Sequence, residues 1–308
     1  MGLGYIGWAP ETTFGTAVAR TKFSELVSES LRYRRPRAPV ESFRARSKHR
    51  VIEQVRRGEG DFAVELMYEG YGQLYRQLFG TVSPTTGVGP YTHAFVLTDA
   101  MLPGLSLEAV RHKMDGTLQG FLHEGTRIAK AEFMAEPNKV LKGTFSTLSE
   151  DVTLVTATSA TYPGEKPILH NQLVAKLDTV AFACKSFKAT LDMNLLQERA
   201  VIGSLLSKEF SPGGQRTITG EVVIEFENTT MYADYGTTPT NRKLNLVATG
   251  SGSDSWDLEL PSCVFGDGTA MNMGGAGPID VRFPFEAYLI PGGADAVKLT
   301  IINSESAV

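Results

Sequence analysis

The sequence is poor in the features that mark most enzymes, membrane proteins and secreted domains. Two cysteines in 308 residues are too few for a disulfide framework. Cys184 and Cys263 lie in apolar contexts (AFACKSF and PSCVFG) without metal or redox spacing. They read as buried free thiols of a chain folded in a reducing cytoplasm. No run approaches the ~18 apolar residues that cross a bilayer. The start, MGLGYIGWAPETTFG, has no basic segment leading into an apolar one, so it is not a secretory signal. Ile6 stands where a myristoylation site needs Ser or Thr.

Catalytic signatures are equally scarce. The histidines His49, His93, His112, His123 and His170 are scattered, with no pair at metal-ligand spacing. No nucleophile elbow and no Walker loop occur. Gly2-Leu3-Gly4-Tyr5-Ile6-Gly7 matches G-x-G-x-x-G, but a dinucleotide site needs a strand before it and a helix after it. Pro10 and Thr12-Thr13 interrupt any helix there, so the segment reads as a flexible N-terminal arm. Asp257 and Glu259 share one face of an alternating strand and read as a solvated face, not an acid–base pair. No enzyme activity, cofactor or metal is expected.

What is present is a strand former's composition, with 31 glycines and abundant Thr, Val and Ser. In Asp61–Tyr68 the apolar Phe62, Val64, Leu66 and Tyr68 alternate with Asp61, Ala63, Glu65 and Met67. In Glu221–Phe226 the set Val222, Ile224, Phe226 alternates with Glu221, Val223, Glu225. Such period-2 patterns predict half-buried antiparallel strands. Only Tyr71–Phe79 reads as a clear helix, with a second short helical or turn segment expected at Thr229–Tyr235.

A shift of 160 residues aligns these strands. It lays Val27–Tyr33 on Phe187–Met193, Gly60–Leu66 on Gly220–Phe226, and Tyr75 on Tyr235. Further on, MLPGLSLEAVRH is matched with SWDLELPSCVF, and the last two strand-like runs of each half with each other. The expected fold is mainly β: two tandem β-sandwich or barrel domains, residues 1–150 and 173–308, joined by a Thr- and Pro-rich linker at 151–172.

Each half carries a loop of about twenty residues between its first two strands, long for a compact domain and so a candidate functional element. Net charge is −4, but the first loop region, Arg32–Arg57, holds +8 and leaves −12 for the rest. Its cations include Arg34, Arg35, Arg37, Arg44, Arg46, Lys48 and Arg50. They suit nucleic acid or an acidic surface on a sister subunit, and the acidic remainder favours the second. The other loop, Leu195–Arg216, is near neutral and contains apolar Val201, Ile202, Leu205, Leu206 and Phe210, a liability in a protruding loop unless a partner covers them. Acids recur at equivalent strand positions, Asp61 with Glu221 and Glu65 with Glu225. With Glu108, Asp257 and Glu259 they predict one continuous acidic surface.

The ordered motifs Glu11-Thr12-Thr13-Phe14-Gly15-Thr16-Ala17, Ser28-Glu29-Ser30-Leu31, Tyr68-Glu69-Gly70 leading to Leu78-Phe79-Gly80, Gly89 to Phe95, and Leu102-Pro103-Gly104-Leu105-Ser106-Leu107 resemble the tail tube proteins of long-tailed bacteriophages, the siphophages. That resemblance implies a structural subunit of the virion tail, built in the host bacterial cytoplasm. Its β-sandwich, with one helix per domain, would share strands between subunits to form a ring. Rings would stack into a tube whose lumen holds the tape-measure protein and then conducts genomic DNA, with tail-end and terminator proteins at its ends and no membrane partner. On this reading Asp61, Glu65, Glu221 and Glu225 line the lumen. The two long loops reach the next ring. A tandem chain would close as a trimer instead of a hexamer. The competing expectations are a nucleic-acid-binding module using Arg32–Arg57 and a baseplate or fibre β protein that handles carbohydrate. For the latter, Trp8 and Trp256 are the only tryptophans.

Overall fold

The computed structural model describes residues 4–40, 50–83, 89–164, 166–226, 241–266, 270–271, 279–290 and 295–308. The first half contains strands β1 (Tyr5–Pro10), β2 (Lys22–Glu25), β3 (Ser28–Glu29), β4 (Arg32–Arg34), β5 (Arg37–Pro39), β6 (Val51–Glu53) and β7 (Arg57–Glu65). Helix α1 (Gly72–Phe79) follows, then β8 (Gly80–Val82), β9 (Tyr91–Leu97), β10 (Leu105–His112), β11 (Leu118–Ala135), β12 (Lys142–Ser149) and β13 (Asp151–Val155). The second half contains β14 (Leu173–Leu177), β15 (Val180–Phe182), β16 (Ser186–Asp192), β17 (Thr217–Glu225) and β18 (Arg242–Thr249). It ends with β19 (Ser255–Phe265), β20 (Ala270–Met271), β21 (Asp280–Ala287) and β22 (Lys298–Asn303). The mainly-β expectation holds, and the one expected clear helix is α1. The expected turn at Thr229–Tyr235 lies outside the described residues.

One order of hydrogen-bonded neighbours occurs twice. In the first half it runs β1, β10, β11, β12, β7, then β3 and β4. In the second it runs β14, β18, β19, β21, β17, β16. β13 lies beside β11 as β22 lies beside β19. Strand pairing therefore sets SWDLELPSCVF (β19) in the place of β11, one strand beyond the match suggested by the sequence. The cause is length. Residues 66–104, between β7 and β10, carry α1, β8 and β9, while only residues 226–241 separate β17 from β18. Strands with the same alternation cannot reveal such a slip.

β11 passes from one sheet to another, and β19 changes one neighbour from β22 to β21 along its length. The N-terminal part of β11 pairs with β10 and β13 and its C-terminal part with β12 and β16, with a register shift between Ile128 and Lys130. Strands that change sheets in this way make the corners of a sandwich. Between the layers lies one apolar cluster drawn from both halves. Phe133 packs edge-on to Trp256 at 5.7 Å and Phe62 stacks on Phe145 at 5.3 Å. Leu74, Tyr75, Leu78 and Phe79 form the buried stripe of α1, as the i, i+1, i+4, i+5 spacing of an amphipathic helix requires.

One expectation changes here. The N-terminal segment is a buried strand, not a flexible arm: Tyr5–Pro10 pairs with both β2 and β10. Its glycine spacing serves packing, because a Cβ on Gly7 would come within 2.6 Å of the Phe23 ring. The 151–172 stretch is packed as well. It begins as β13, Ile168 is fully buried, and Leu141 donates its amide to the Ile168 carbonyl at 2.8 Å.

Candidate assembly surfaces

Two surfaces collect the candidate residues. The first is the outer face of a continuous run of eight strands: β3 with β4 counted as one, β7, β12, β11, β16, β17, β21, and β19 with β20 counted as one. Alternation turns Phe62, Phe133, Phe145, Phe187, Val222 and Phe283 into the core and leaves the polar residues of the same strands outside. Asp61, Glu65, Glu221 and Glu225 all fall on this outer set.

The face is interlaced with cations: Lys185, Lys188 and Arg282, which the sequence had not singled out, and Arg32 of the basic segment. Lys188 meets Glu132 at 2.8 Å, Lys185 meets both Glu225 and Asp280 at 2.7 Å, Arg282 approaches Glu221 at 3.6 Å, and Arg32 meets Glu59 at 2.6 Å. Arg32 with Arg57 holds the Glu59 carboxyl below its ordinary range against the opposing effect of burial. Asp61 and Glu65 have no ion-pair partner among the described residues and are exposed. An open groove of about 580 Å³ crosses this face beside Arg32, Asp61, Lys130 and Asp192.

Three acids expected on the same surface lie elsewhere. Glu108 is fully buried on β10, where it accepts from Arg20 Nε at 2.5 Å and from the Thr158 amide at 2.9 Å and hydroxyl at 2.7 Å. It thus fastens the 151–172 stretch to β10. Asp257 and Glu259 belong to the part of β19 that pairs with β18, where Asn245 donates to Asp257 at 3.0 Å. Burial raises the Asp257 carboxyl. A strand's alternation tells in from out but not which layer it joins.

The second surface brings the two long loops together. Arg56 donates its amide to the Leu205 carbonyl at 2.8 Å and bridges Leu206, while Arg57 pairs with Glu198 at 3.1 Å. The second loop folds back on itself, with Leu196 donating to Ser211 and Lys208 to Arg199. It is anchored by fully buried Phe210, packed edge-on to Phe14, and by an ion pair from Arg127 to Glu209. At its tip Ile202 is fully exposed and Leu205 is exposed, whereas Leu206 is half-buried. In the first loop, β5 and β6 form a hairpin with exposed Val51 and Ile52. Arg37 lies on that hairpin, Arg50 just before β6, and Arg35 sits over the Tyr33 ring at 4.7 Å. Arg34 reaches Glu59 at 3.5 Å. Arg44, Arg46 and Lys48 lie outside the described residues. Several cations of the segment are thus already neutralised within the chain, including Arg56, which is 3.6 Å from Asp151.

The Glu11 to Gly15 motif also acquires a physical role. The buried Glu11 carboxylate accepts from the Gly15 and Gly125 amides at 2.9 Å and the Ser106 hydroxyl at 3.0 Å, closing a turn in which Gly15 has φ of +72°. Burial raises its pKa. Both thiols, buried Cys263 and half-buried Cys184, are pushed up to about 12, which makes them inert. Among the described residues no group of three or more His, Cys, Asp or Glu could hold a metal ion, and no helix is long and apolar enough to cross a membrane.

The described residues thus form a β-rich chain with a charged sheet face and two long loops packed on each other. Residues 3–287 match the family described as phage tail tube protein, so the chain belongs to that family and is a structural subunit of the tail tube in the phage virion. No curated protein matches the chain.

Proposed function

We propose that the chain is a non-catalytic tandem tail tube subunit of a siphophage, with domains at 1–150 and 173–308 joined by 151–172. Three copies close each ring with pseudo-sixfold symmetry, and rings stack into the tube. The observation that carries this reading is the eight-strand run itself, to which both halves contribute and whose outer face bears Asp61, Glu65, Glu221 and Glu225. Eight strands from each of three chains, twenty-four in all, spaced about 4.8 Å apart and tilted about 40°, close on a backbone diameter of about 48 Å. With about 5 Å of side chain on each wall, the bore still passes duplex DNA.

The physics of such a lumen sets its charge. DNA binds a basic wall by releasing counterions, so a wall bearing exposed acids such as Asp61 and Glu65, with Lys185, Lys188 and Arg282 tied to carboxylates, lets phosphates slide past. Closing the sheet removes its edges, which otherwise invite aggregation. The loop pair, with Arg37 and Arg50 on one loop and the apolar Ile202 and Leu205 on the other, contacts the adjacent ring. The tape-measure protein and then the genome occupy the lumen, tail-end and terminator proteins cap the tube, and assembly takes place in the host cytoplasm.

Negative-stain microscopy and mass photometry of the purified protein test this reading. Stacked rings and a smallest closed species of three chains are expected. A monomer that persists at high concentration overturns it, and a six-chain ring overturns the tandem stoichiometry.

A further inference from the structure

The two halves meet edge to edge at one seam. β11 pairs antiparallel with β16 from Lys130 opposite Asp192 to Ala135 opposite Phe187, and Lys188 reaches Glu132 within it. In the repeated order of pairing, the counterparts of these two strands are β20 and β3 with β4. Those counterparts stand at the two ends of the eight-strand run. Among the described residues β20 pairs only with β21, and β3 and β4 pair only with β7.

The register of the counterparts can be read from their shared neighbours. Ala270 and Met271 stand opposite Arg282 and Val281, as Glu132 and Phe133 stand opposite Thr144 and Gly143. Arg282 and Val281 in turn face Val223 and Ile224, as Thr144 and Gly143 face Ala63 and Val64. On the other side, Thr190 faces Thr219 as Arg32 faces Glu59, and Ala189 faces Gly220 as Leu31 falls opposite Gly60. Leu31 and Ala189 are both buried.

We propose that β3 and β4 of one copy of this chain pair antiparallel with β20 of the next copy, repeating the β11–β16 seam, with Ala270 opposite Arg32 and Met271 opposite Leu31. The proposal rests on the tube reading above and specifies the contact by which its ring closes. The free edge has the matching chemistry. Ser30 donates its amide inward to Asp61 at 2.8 Å, so the Leu31 amide faces outward. There it is satisfied at 2.8 Å by the carboxylate of Glu29, which Arg111 holds with two bonds of 2.7 Å. A partner's carbonyl would take over from that carboxylate. Until then Glu29 and the flanking Arg32 and Arg34 guard the edge, as charges do on strands that must not pair prematurely.

The test is disulfide trapping. On this outward edge Arg32 falls in a non-hydrogen-bonded pair, where Cα atoms lie about 4.5 Å apart and a disulfide is accommodated. The full chain carrying Arg32→Cys with Ala270→Cys, mildly oxidised after assembly, is expected to yield covalent dimers and trimers in most molecules. Variants carrying only one of the two added cysteines should yield none. Glu132→Cys with Thr190→Cys, the equivalent pair in the internal seam, should oxidise without gaining mass. Stacked rings that form without the Arg32–Ala270 cross-link overturn the proposal and leave the tube reading standing, whereas a monomer without cross-links overturns both. Hydrogen exchange on the unaltered protein gives an independent reading. The Leu31 and Tyr33 amides should slow at least tenfold in assembled tubes, and unchanged exchange there overturns the proposal.

Discussion

His123 is buried on β11 within 3.2 Å of the Ser149 hydroxyl, and burial, reinforced by the Arg111 charge, lowers its pKa from 6.5 to about 4. The unfolded chain therefore takes the proton first. The stability this neutral imidazole contributes is full above pH 6.5 and is lost as the pH falls toward 4, by up to ~3 kcal/mol. Thermal denaturation at pH 7.5 and pH 5 should show a drop for the wild type that His123→Gln largely abolishes, and an equal drop in both would refute the assignment. Glu11 has the opposite sign. Its carboxyl is raised, so its contribution is largest at low pH and declines as the pH rises through the folded value. Neither role was legible in the sequence. Glu11 stands in a recognisable motif, but the amides it accepts from are supplied by residues as distant as Gly125.

At the level of elements, periodicity identified β7, β17 and α1 because each buries one face and exposes the other. It failed for β1, where Tyr5, Ile6, Gly7, Trp8 and Ala9 are all buried. A strand covered on both faces has no alternation to read. The same logic applies to the second loop, whose apolar residues take opposite fates: Phe210 is fully buried and Ile202 fully exposed. Sequence marked the loop as unusual but could not sort its anchor from its tip. Ile202→Ser should leave the single chain's stability within about 0.5 kcal/mol, since nothing packs on this side chain. It should nevertheless shorten the tubes seen by electron microscopy at a given concentration. A marked fall in melting temperature, or tubes of undiminished length, would argue against a role in ring stacking.

For the whole molecule the deciding feature is the polar face shared by both halves. Reversing Glu65→Lys and Glu225→Lys removes one exposed acid with no ion-pair partner among the described residues and one that pairs with Lys185. Assembled tubes of this variant are expected to retain duplex DNA at low salt. Retention should fall steeply as salt rises, with a log–log slope of about one per phosphate contacted. Phage carrying it should eject DNA poorly, and tubes that form and deliver DNA normally would remove these residues from the lumen.

Strand composition, the recurrence of acid at Asp61 with Glu221 and Glu65 with Glu225, and the presence of two unlike long loops were all fixed by the order of residues, because alternation and loop length are local properties. Which strand of one half answers which strand of the other was not. Every half-buried strand carries the same pattern, and α1 with β8 and β9 shifts the count between the halves. The assignment of Glu108 to a buried clasp with Arg20 and Thr158, and of Asp61 to an open face, depended on which layer each strand joins. Layer membership is set by packing between residues far apart in the chain, and only the tertiary structure supplies it.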